Sequence, residues 1–147
     1  MFLTLMFIAL YPAFAQERPL NTGLNVDEQY AFIGMTVAGV IERFGPPRAV
    51  AAARGTELWQ DDVVFQYTGV DFYIYNDRVW QVRLITTHGV SNGDAKRAVL
   101  SALGNTAQDM DDHVLLPING RTWPMMMRVN FNNSGLTSAI YIYRSDF

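Results

Sequence analysis

One segment with both of its ends specified limits the folds open to this sequence: Gly34-Met35-Thr36 followed by VAGVIERFGPP. Thr36 suits an N-cap, where its hydroxyl accepts an N–H that the first helical turn leaves unsatisfied. Val37, Val40, Ile41 and Phe44 then recur at helical spacing, while Glu42 and Arg43 fall on the opposite side. Gly45 suits the left-handed position that ends a helix, and Pro46-Pro47 stops any continuation. The result is a short amphipathic helix whose apolar stripe needs a partner surface.

The following residues supply one, because the period changes to two. Residues 57–60 and 63–67 read as strands, with Val63, Phe65 and Tyr67 on one face. Residues 71–75 and 79–85 read as a hairpin around Asn76-Asp77-Arg78, and residues 48–55 as an irregular connection. In the second hairpin strand Trp80, Val82 and Leu84 alternate with Val79, Gln81 and Arg83, which assigns Trp80 to the covered face beside Phe72 and Ile74. The same order then recurs. Gly89-Val90-Ser91 matches Gly34-Met35-Thr36 in kind. A second helix is expected over 94–103, capped by Ser91 or Asn92, closed by Gly104 and about one turn longer than the first. A polar connection at 105–113 leads to strands at 114–118, 125–131 and 136–144, with a turn at Asn119-Gly120. Neither half can bury a sheet face alone. The expectation is therefore an α+β fold of two tandem helix-plus-three-strand repeats. They would form an antiparallel sheet with helices packed on one face, spanning residues 31–147 as repeats 31–87 and 88–147.

Residues 1–15 of the 147 carry no charge, are almost wholly apolar and end in Ala13-Phe14-Ala15. They read as a secretory signal peptide cleaved after Ala15, followed by a flexible leader at 16–30, and the expected location is periplasmic or secreted. The run is shorter than the roughly 20 residues a bilayer span needs, and no transmembrane segment is expected later. The chain has no cysteine, which removes disulfides, thiolate metal sites, a thiol nucleophile and a lipid anchor at the cleavage site. A net charge of -3 gives no drive toward nucleic acid.

No residue pattern demands chemistry. His88 and His113 lie in different halves, and neither has a second histidine at i+4. Asp109, Asp111 and Asp112 lack the glycine and the later glutamate of a calcium loop, so they read as a solvated acidic loop. No serine sits in a nucleophile elbow. The expectation is a non-enzymatic protein with no cofactor and no metal. The aromatic residues are more informative. Tyr73 and Tyr75 in one strand, and Tyr141 and Tyr143 in the last, are expected on the open sheet face, with Trp59 close by and Arg83, Arg128 or Arg144 among them. Tyrosine and arginine are enriched at protein interfaces. Trp59, Tyr73, Tyr75, Tyr141 and Tyr143 are thus the candidate binding residues, for a protein or an envelope component. The alternative is a small apolar ligand held between helices and sheet by Trp80, Trp123, Met125, Met126 and Met127.

The stretch Gly34-Met35-Thr36, Val40, Phe44-Gly45-Pro46-Pro47 resembles the opening of the SmpA/OmlA (BamE-like) family. The tandem layout is similar to the β-lactamase inhibitor protein fold. The resemblance implies an envelope or secreted protein that binds other proteins and does not catalyse. Two departures matter: such lipoproteins carry an acylated cysteine and the inhibitors carry disulfides, whereas this chain has neither. No specific binding residue is transferred.

Overall fold

Strand pairing dominates the architecture. The computed structural model describes residues 23–54 and 62–146. The expected signal peptide at 1–15, residues 16–22 of the expected leader, the expected strand at 57–60 and Trp59 lie outside the described residues. The chain runs α1 (Val26–Tyr30), α2 (Val37–Phe44), β1 (Ala49–Ala53), β2 (Asp62–Tyr67), β3 (Val70–Tyr75) and β4 (Arg78–Leu84). It continues through β5 (Thr86–Thr87), β6 (Val90–Ser91), α3 (Lys96–Leu103), β7 (Gln108–Asp109), β8 (His113–Ile118), β9 (Met125–Phe131) and β10 (Thr137–Arg144). Eight strands form one antiparallel sheet in the order β1-β2-β3-β4-β10-β9-β8-β7, and β5-β6 is a separate hairpin. The α+β class and the antiparallel sheet agree with the sequence reading. Among the described residues each half of the sheet holds four strands, where the repeat pattern expects three, and β1 and β7 occupy stretches that the sequence reading assigns to connections.

The helices cover one face. Phe32, Val40 and Val99 join Phe72, Val82, Leu84, Ile140, Ile142, Val114, Met127 and Val129 in one buried cluster. The register explains why. Phe72 opposes Val82, Val82 opposes Ile142, and Ile142 opposes Met127, so one row of side chains crosses four strands on the same side. The neighbouring row, Val70, Leu84, Ile140, Val129 and Val114, does the same.

Several ends follow local chemistry. Gly39 N–H donates to the Thr36 hydroxyl at 3.0 Å, and Gly45 closes α2 with φ 76°. Asn76 and Asp77, at φ 45° and 62°, form the two-residue turn between β3 and β4.

Two boundaries move, one through an unread cap and one through a contact from afar. The leader ends before residue 30, since Asn25 and Glu28 cap α1 reciprocally with two 2.9 Å bonds and Gln29 and Tyr30 are buried. The second helix starts at Lys96, so α2 and α3 each have eight residues, and the expected extra turn is absent. Asp94 and Ala95 are drawn into an extended pairing instead: Thr137 N–H donates to the Asp94 carbonyl at 2.8 Å, and Ala95 bridges Leu136. Ser91 is therefore not the cap of α3. Its own N–H donates to the Asp94 carboxylate at 2.7 Å.

Candidate functional site

The sheet face away from the helices carries the candidate site. β10 contributes Tyr141 and Tyr143, whose neighbours Ile140 and Ile142 face the core. Tyr141 opposes Arg83 on β4 and Arg128 on β9, while Tyr143 opposes Gln81 and Met126. Tyr73 opposes Gln81 from β3. These residues surround an open depression of about 510 Å³, lined by Tyr73, Trp80 and Gln81 on one side and by Arg128, Asn130, Tyr141 and Tyr143 on the other.

Three of the five candidate residues, Tyr73, Tyr141 and Tyr143, are thus brought together. Tyr75 shares their face by alternation but lies at the hairpin end, outside the lining. Trp59 lies outside the described residues.

Trp80 corrects the sequence reading. Strict alternation places it on the covered face, but the β3–β4 register shifts between Tyr73 and Ile74: Tyr73 opposes Gln81 while Ile74 opposes Val79. Trp80 is the extra residue of a β-bulge, so Val79 is fully buried and Trp80 turns to the open face. Its indole N–H donates to the buried Asp62 carboxylate at 3.0 Å, which fixes the ring at the margin of the depression. The signal was available: Val79 and Val82 are both aliphatic but three residues apart, and a regular strand cannot bury both. Gln81 and Asn130 have no comparable signal, because only the register places them.

The ligand pocket expected between helices and sheet does not assemble from its named residues. Met125 and Met127 are buried in the core, Trp80 and Met126 belong to the other face, and Trp123 is 37 % exposed with the Arg144 guanidinium 3.9 Å from its ring centroid. Once β9 is placed in the sheet, alternation separates Met126 from Met125 and Met127.

The electrostatics of the face are uneven. Asp71, nearly buried, holds Arg83 at 2.7 Å. Arg128 donates from Nε to Asn130 Oδ1 at 2.7 Å, while the nearest carboxylate oxygen recorded for it, on Asp112, is 3.9 Å away. Tyr73 and Tyr141 meet edge to face with centroids 6.3 Å apart. Burial, then the adjoining Tyr141 phenol, pushes the Tyr73 phenol up to about 12.

That shift has a sign that can be checked. An unfolded tyrosine releases its proton near 10.0, so between there and about 12 the folded chain binds more protons at Tyr73 than the unfolded chain does. The associated stability is complete below that window and is lost as pH rises through it. Tyr73→Phe should flatten the fall of Tm over this range; part of the slope remains, because burial also raises Tyr30 and Tyr67. Equal slopes for the two proteins would contradict the assignment.

The histidines do not converge. His88 sits in the β5–β6 turn at φ 52°, hydrogen-bonded through Nε2 to the Tyr30 hydroxyl, and burial lowers its pKa. His113 lies at the start of β8 with Nδ1 2.5 Å from Asp112 Oδ1, and that contact lowers the Asp112 pKa. Among the described residues, no three His, Asp or Glu side chains gather in a way that could hold a metal. No helix among them is long and apolar enough to cross a membrane.

No family model and no curated protein matches this chain. Two solved structures align with this chain. An extracellular protein containing a SCP domain, from Bacillus anthracis, shares 9 % identity at a TM-score of 0.51, over 90 % of this chain and 49 % of that one. This chain thus spans about half the length of that protein. A DUF4309 family protein (YjgB) from Bacillus subtilis aligns with 14 % identity and a TM-score of 0.43, over 75 % of this chain and 78 % of that one. Neither is a SmpA/OmlA or β-lactamase inhibitor protein. At these identities the likeness concerns the fold alone.

Proposed function

We propose that this chain is an exported, non-enzymatic binding module that docks a protein partner or an envelope component on its open sheet face. The observation that supports the reading is the clustering of Tyr73, Trp80, Tyr141 and Tyr143 around Arg128 on the face the helices leave uncovered. Large, stiff aromatic rings lose little conformational entropy on binding, and arginine adds directed hydrogen bonds. Export rests on the uncharged apolar run at residues 1–15. The two halves are read as related copies. Each contains an eight-residue helix ended by a glycine and four antiparallel strands in chain order, and they meet at β4 and β10.

The test is capture from envelope extract by the wild-type chain and by a Tyr141→Ala, Tyr143→Ala variant, with mass spectrometry of what is retained. Both side chains are only partly buried, so Tm should change little. Retention of the wild-type partner should fall at least tenfold, about 1.4 kcal/mol. Equal retention by a folded variant would remove this face as the docking surface.

A further inference from the structure

We infer that the depression on the open face receives an acidic side chain, aspartate or glutamate, from a partner protein, with Arg128 binding its carboxylate. The inference rests on the reading of this face as a protein-docking surface, and it names the chemistry of the partner.

The lining of the depression contains one arginine and no carboxylate, in a chain whose net charge is -3. Two arginines share the row that crosses Tyr141, and they differ in what they already hold. Arg83 is neutralised at 2.7 Å by Asp71, whose side chain is only 10 % exposed, so that pair is closed. Arg128 uses Nε on Asn130, and this bond sets the plane of its guanidinium. Its terminal nitrogens have weaker claims on them. Asp112 is 77 % exposed, and its Oδ2 is 3.9 Å from Nη2, beyond hydrogen-bond range. His113 Nδ1 approaches Nη2 at 3.5 Å but lies 2.5 Å from Asp112 Oδ1. An ionised carboxylate has no proton to give, so Nδ1 is the donor in that short contact. It then has no lone pair to offer Arg128.

Arg128 thus lines the depression with no carboxylate among the described residues within hydrogen-bond range of its terminal nitrogens, and the guanidinium fork matches the two oxygens of a carboxylate. The phenols of Tyr141 and Tyr143 stand alongside as hydroxyl donors. The aromatic walls lower the local dielectric once a partner excludes water, which strengthens the ion pair. A phosphate group would also suit a guanidinium. However, a dianion is poorly matched by one cation without a second cationic side chain in the lining, and this favours the singly charged carboxylate.

The test is selection of random peptides from a display library on the full chain. Recovered peptides should share an aspartate or glutamate. Changing it to the amide should weaken binding at least tenfold. Arg128→Gln should do the same, and the two changes together should cost little more than either alone. Arg128→Lys should restore part of the binding, and Arg97→Gln, on the exposed side of α3, should leave it unchanged. Peptides without an acidic residue, or acidic peptides that bind Arg128→Gln equally well, would overturn the inference. Binding lost in the Tyr141→Ala, Tyr143→Ala variant but kept in Arg128→Gln would leave the docking face standing and remove the carboxylate contact. Stronger competition by inorganic phosphate than by acetate would assign the site to phosphate instead. A selection that yields no peptide on this face would overturn both readings.

Discussion

Phe72→Ala should cost about 4 kcal/mol of folding free energy. Phe72 has no exposed surface, and it is the hub of an aromatic group. Its ring centroid lies 5.3 Å from that of Phe32, 5.5 Å from Phe44 and 5.5 Å from Tyr67. These partners come from the α1–α2 connection, from α2 and from β2, so one side chain ties the helical layer to the sheet. Truncation removes the transfer energy of the ring and leaves a cavity that three different elements would have to collapse into. For a domain of this size, Tm should fall by roughly 12–20 °C. Thermal unfolding followed by circular dichroism reads this directly. A fall below about 5 °C would mean that the helices are held by other contacts. Arg43, over the Phe32 and Phe44 rings at 5.7 and 5.2 Å, covers this group from outside and cannot fill the hole.

Gly34→Ala should destabilise the chain by about 2–3 kcal/mol, far beyond an ordinary surface substitution. Gly34 has φ +90°, where an L side chain is strained. An added Cβ would also stand 3.0 Å from the Trp123 indole nitrogen. The backbone cannot easily turn away, because Gly34 N–H donates to the Val79 carbonyl at 2.8 Å and the Gly34 carbonyl accepts from Arg78 Nη1 at 3.0 Å. Urea unfolding should show a lower midpoint with an unchanged slope. An unchanged midpoint would show that Trp123 and the backbone yield at no cost. The result also bears on the Gly34-Met35-Thr36 motif. Within that motif Thr36 is the residue that caps α2, joined from the β3–β4 turn by Asp77, whose carboxylate accepts from Val37 N–H; Gly34 has a different task, which is to let the chain pass close under Trp123 and pair with β4.

These two residues mark the boundary between local and distant information. The helix at 37–44 was readable because its cap, its apolar stripe and its stop are all short-range chemistry. The same holds for the Asn76-Asp77 turn and for the core-facing alternation of β10. Legibility failed where partners far along the chain compete with local preference. Asp94 and Ala95 would extend a helix, but Thr137 and Leu136, some forty residues away, hold them in an extended pairing. The alanines at 49–53 have no strand preference of their own, and they become β1 because β2 offers a ladder.

The candidate site divides in the same way. Alternation alone places Tyr141 and Tyr143 opposite Ile140 and Ile142, and Tyr73 opposite Phe72 and Ile74, because side chains in a strand must point to opposite sides. Which strands stand next to each other is set by the tertiary pairing of β4 with β10, across more than fifty residues of chain, and local periodicity carries no record of it. That pairing puts Tyr73 beside Tyr141 and leaves Arg128, not Arg83, with donors to offer. One bulge, a single residue of slippage against β3, carries Trp80 from the core side to the binding side.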